Sequence, residues 1–68
     1  MTDQDRFIDL ADRLDAIEEE IRDRAYEQLA AAVRDPDSEV AREAAAIEKR
    51  LNQARRAVAK AAAALRHP

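Results

Sequence analysis

Val33-Arg34-Asp35-Pro36-Asp37-Ser38-Glu39-Val40 is the stretch that decides how this chain folds. It holds Pro36, the only proline before the C-terminal residue, in a chain that has no glycine at all. Proline pushes the residue before it out of the helical region, so Asp35 is expected to leave the helix. Aspartate is also a good N-cap, and proline is favoured at the first helical position. Asp37 and Glu39 then put negative charge where a helix dipole favours it. The segment therefore predicts the end of one helix near 34, a turn over about 34–37, and a second helix over about 36–66. Ser38 is expected to serve the turn or a cap.

Upstream, Thr2 is the expected N-cap of a first helix over about 3–34, with Asp5 three residues on. The large apolar residues Phe7, Leu10, Leu14, Ile17 and Ile21 follow at alternating steps of three and four, one face of a helix. The strict heptad then meets Arg24 and Gln28. A step of four carries it through Ala25 to Leu29, a shift that locally relaxes a left-handed supercoil. Downstream, Val40, Ala44, Ile47, Leu51, Ala54, Val58, Ala61 and Leu65 keep a clean heptad. Arg66 and His67 at its end suit a helix C-terminus.

These two stripes are the expected seam of an antiparallel helical hairpin of coiled-coil type. Alanines of the second helix would sit beneath the bulkier residues of the first. One rival topology stays open at this point. Val33 to Val40 is one heptad, so a single long helix kinked at Pro36 keeps the same phase, at a cost of about 3 kcal/mol or more for the internal proline.

Composition agrees with an all-α chain. Alanine fills 17 of 68 positions and charged residues 40%, the profile of long helices or coiled coil. A chain this short needs support beyond its own core: a disulfide, a metal or a second subunit. There is no cysteine and one histidine, which excludes a disulfide and an ordinary zinc site, and no cofactor is expected. A second hairpin is the remaining route, giving a homodimeric four-helix bundle. Ile8, Leu29 and Val33, beside the seam, are the expected flank for it. The acidic start is wrong for a signal peptide, and no apolar run reaches the length of a membrane span, so a soluble, cytoplasmic bacterial chain is expected.

Charge is sorted between the halves. Residues 1–37 carry twelve acids and five bases, net −7, and residues 38–68 carry three acids and seven bases, net +4. Oppositely charged helices are expected to pair, which sets partner choice more than stability. With Phe7 taken as heptad position a, Asp5, Asp12, Glu19 and Tyr26 share one outward stripe. Arg42, Lys49 and Arg56 form the equivalent basic stripe of the second helix, with Lys60 nearby. These eight are the candidate partner-binding residues.

Catalytic chemistry is hard to assemble from this chain. It offers one serine, one threonine, one asparagine and one histidine, no glycine loop for phosphate, and no Glu-x-x-His of the kind that builds bundle di-metal sites. The sequence points to a small non-catalytic interaction or regulatory module acting through a self-associating helical surface, in contact with itself or a protein partner. The alternative is an RNA-binding regulator. Steps of seven along a helix are about 10.5 Å, a spacing that lets Arg42, Lys49 and Arg56 follow a phosphate backbone. Net charge −3 and the absence of interleaved aromatics speak against it.

Overall fold

The computed structural model describes residues 3–67, the side chain of Gln4 excepted. Two helices, α1 (Asp3–Arg34) and α2 (Glu39–Arg66), fold back on one another as a hairpin. The single kinked helix is thereby excluded, because Pro36 lies in a turn between two packed helices. The Thr2 cap falls outside the described residues.

The turn differs from the expectation in one respect. Asp35 is not the cap, and α2 starts at Glu39, three residues beyond Pro36. The Asp35 carbonyl accepts from the Ser38 N–H at 3.1 Å, closing a four-residue turn with Pro36 at its second position, where a fixed φ is favourable. Ser38 then caps α2 from an extended conformation. Its Oγ accepts from the Ala41 N–H at 3.0 Å and donates to the Asp35 carbonyl at 2.8 Å. Among the described residues none takes a positive φ, so this turn needs no glycine. Ser38→Ala removes both bonds and is expected to cost about 1 kcal/mol, read as a lower melting temperature with unchanged helix content.

Between the helices lies a layer of alanine. Ala11, Ala25, Ala41, Ala44 and Ala62 are the buried apolar residues, and no large side chain is fully buried. With half-buried Leu14, Glu18 and Ile21 on α1, and Glu48, Leu51, Arg55, Val58 and Leu65 on α2, they form an unbroken 3-4 repeat on each helix. Half of the expected seam belongs to it. The other half is rotated by one residue: Ala11 and Glu18 stand in the contact in place of Leu10 and Ile17, and Ala41, Glu48, Arg55 and Ala62 in place of Val40, Ile47, Ala54 and Ala61. The reason is steric and electrostatic together. Alanine lets two helices approach closely, and the rotation joins Glu18 to Arg55 across the seam at 3.6 Å.

The product is a rod of 54 × 15 × 11 Å with a radius of gyration of 15.7 Å, where a compact chain of this length has about 11 Å. Its accessible surface is 5464 Å², against about 4,300 Å² for a compact protein of its mass. The hairpin therefore leaves uncovered a large surface that an ordinary monomer hides. Among the described residues no helix is long and apolar enough to cross a membrane.

Candidate interaction faces

The rotation of the seam gives the hairpin two unlike broad faces. One carries a chain of polar contacts. Arg22 donates to both oxygens of Glu18, at 2.9 and 3.2 Å, and Glu18 reaches Arg55 on α2. Arg55 Nε donates to Asn52 Oδ1 at 3.2 Å, and Asn52 Nδ2 donates to Glu48 at 2.6 Å. At the open end of the hairpin Arg66 donates to Asp12 at 2.7 Å and to Asp15 at 2.6 and 3.2 Å. Those bonds, to Asp15 first and Asp12 second, hold the Arg66 guanidinium above its usual pKa. The expected pairing of acidic α1 with basic α2 is thus present in three cross-helix ion pairs.

Acids stand four residues before arginines at three places on α1, and of these Glu18–Arg22 forms an ion pair. Asp9–Arg13 and Glu20–Arg24 do not, and Arg24 lies instead 3.6 Å from Glu27.

The candidate residues of the outward stripes lie along the borders of this polar face. Asp5, Asp12, Glu19 and Tyr26 run along α1, and Arg42, Lys49 and Arg56 along α2, all exposed. Lys60 is exposed on the outer side of α2, one position away from the basic stripe. Asp12 is not a free docking charge, because Arg66 holds it. Tyr26 is 73% exposed. It borders a shallow open groove of about 210 Å³ with Arg22, Ala25, Leu29, Glu48 and Asn52. Ile8, Leu29 and Val33 also fall on this polar side, so the flank expected to receive a second hairpin is the one crossed by ion pairs.

The opposite face holds the rotated half of the expected seam. Leu10 and Ile17 on α1 are 44% and 46% exposed, and Val40 on α2 is 68% exposed. Ala54 and Ala61 are exposed, and Ile47 is half-buried. Folding back about the 35–38 turn, with Glu18 meeting Arg55, puts Leu10 near the level of Ala61 and Ile17 near that of Ala54, and heptad position turns Phe7, Leu14, Ile21, Leu51, Val58 and Leu65 toward the same side of the seam. This face is apolar along most of the rod, and its α1 stripe carries two charges, Asp3 at the helix start and Arg24 toward the turn. The sequence did carry its signal. Each helix carries, beside its two apolar heptad positions, a third stripe in which alanine alternates with charge, Ala11, Glu18 and Ala25 on α1 and Ala41, Glu48, Arg55 and Ala62 on α2, so more than two positions compete for the seam.

The two faces define a class, an amphipathic two-helix hairpin with one polar and one apolar broad side. No family model, curated protein or solved structure matches the chain.

Proposed function

We propose that the chain is a non-catalytic interaction module whose working surface is the apolar broad face, and that it associates with itself there into a four-helix bundle. The observation that carries this reading is the run of Leu10, Ile17, Val40, Ile47, Ala54 and Ala61 left on one side of a hairpin whose other side is stitched by ion pairs. Contiguous apolar faces rimmed by charge mark interaction sites. The area agrees. For two copies, each of 5464 Å², to reach the surface of a compact protein of their joint mass, about 3,800 Å² must be buried between them. That lies within the roughly 2,000–5,000 Å² of obligate dimers.

Self-association leaves the polar face and its borders open, so Tyr26, Glu19, Arg42, Lys49 and Arg56 are the residues through which the bundle would meet a protein partner. Contact with RNA along Arg42, Lys49 and Arg56 is the weaker reading, because an acidic stripe runs beside the basic one and the net charge is −3.

Light scattering tests the proposal directly. The chain is expected at twice its 7.6 kDa, with a melting temperature that rises with protein concentration. A mass of 7.6 kDa with concentration-independent melting would overturn it.

A further inference from the structure

A two-fold dimer through the apolar face has two possible arrangements. With both turns at the same end, α1 lies over α2 of the partner subunit. With the turns at opposite ends, like lies over like, α1 on α1 and α2 on α2. Apolar packing is served by either. The first sets Ile17 over Ala54 of the partner subunit, and the second sets Ile47 over Ala61 of the partner subunit.

The charges bordering the apolar face do distinguish them. Along α1 that border is Arg6, Arg13, Glu20 and Glu27, at steps of seven, and along α2 it is Glu43, Arg50, Ala57 and Ala64. All eight are exposed. Among the described residues Arg6, Arg13 and Glu20 make no ion pair within the hairpin. With turns together, Glu20 meets Arg50 of the partner subunit, but Glu27 meets Glu43 of the partner subunit, and attraction and repulsion cancel. With turns opposed, Arg13 meets Glu20 of the partner subunit and Arg6 meets Glu27 of the partner subunit. Symmetry repeats each pair, while Arg50 and Glu43 face only alanines. A slip of one heptad one way keeps Arg13 against Glu27 but sets Glu20 against Glu20 and Arg6 against Arg34, and a slip the other way keeps Arg6 against Glu20 but sets Arg13 against Arg13, so this register has the most attractive pairs and no repulsive one.

We propose that the occupant of the apolar face is a second copy of this chain bound with its turn at the opposite end, the two-fold axis passing beside Ile17 and Ala54. This rests on the self-association proposed above, and the tests separate the two.

The chain has no cysteine, so Ile17→Cys and Ala54→Cys each introduce a single thiol. Under mild oxidation each variant alone is expected to form a disulfide-linked dimer, and a mixture of the two to give little mixed product. Mixed product only, from chains that still scatter as dimers, would overturn the orientation and leave self-association standing. A monomeric mass for the unaltered chain would remove both.

Charge exchange gives a second reading. Arg13→Glu is expected to weaken association about tenfold, and adding Glu20→Arg to restore it to within about twofold. Arg50→Glu is expected to change it less than about twofold, since Arg50 has no acidic neighbour across this interface. Weakening by Arg50→Glu with no effect of Arg13→Glu would select the turns-together arrangement instead.

Discussion

The Ala54→Glu chain is expected to scatter at its monomer mass of 7.6 kDa under conditions where the unaltered chain scatters at twice that value. Ala54 is exposed in the single hairpin, so the hairpin itself has room for the longer side chain. In the proposed bundle the same position lies beside the two-fold axis, and two carboxylates would be brought together away from water. An unpaired charge taken out of water costs several kcal/mol. A loss of about 4 kcal/mol weakens association by about a thousandfold. Because in the proposed bundle a hairpin this thin draws on its partner for burial, the melting temperature is expected to fall by about 20 °C. Ala46→Glu supplies the comparison. Ala46 is equally exposed, but it lies on the outermost side of α2. It is expected to leave mass and melting unchanged, and equal behaviour of the two variants would remove the apolar face as the site of association.

The second large effect is expected inside the hairpin. Ala62 and Ala11 are 1% and 0% exposed and both belong to the seam toward the open end. Ala62→Leu inserts three carbons where the helices touch. Overpacking of a tight contact costs about 1–3 kcal/mol. Here it also spreads the helices one turn before Arg66, loosening the bonds to Asp12 and Asp15. A fall in melting temperature of about 10 °C is expected. Ala63→Leu, at the adjacent exposed position, is expected to melt within about 2 °C of the unaltered chain, as surface changes usually do. If Ala62→Leu melted no lower than Ala63→Leu, the alanine layer would not be the contact between the helices.

The two helices and the turn were legible from apolar spacing and from one proline. The residues common to the expected and observed seams, Leu14, Ile21, Ala44, Leu51, Val58 and Leu65, were legible for the same reason. Which neighbouring stripe completes the seam was not. Size suggested Leu10, Ile17, Val40 and Ile47, since large apolar residues are normally the buried ones. Here close approach of the helices counts for more, and it selects Ala11, Ala41 and Ala62. A charged pair then accompanies the alanines into the seam. The spacing of Glu18 and Arg22 accounts for that acid along its own helix, and only the fold shows that Arg55, far along the chain, reaches it as well. The cap was misplaced for a local reason. Asp35-Pro36 and Ser38-Glu39 are both good helix starts, and the turn hydrogen bond from Ser38 to Asp35 decides between them. The outward candidates were readable as exposed positions. Their gathering along the borders of one face required the register of the seam.

The alanine layer has a consequence for how such a chain can change over generations. In most domains interior side chains are limited from both sides, by cavities when they shrink and by overpacking when they grow, while exposed positions accept most exchanges. Here the interior side chains are already near the minimum, so drift inward has a ceiling on volume and almost no floor. In the proposed bundle the outward apolar face reverses the rule, accepting exchange among Leu, Ile, Val and Met while rejecting charge at Ile17 and Ala54. A map of permitted substitutions on this hairpin should therefore look inside out, with the strictest size limits on its smallest residues.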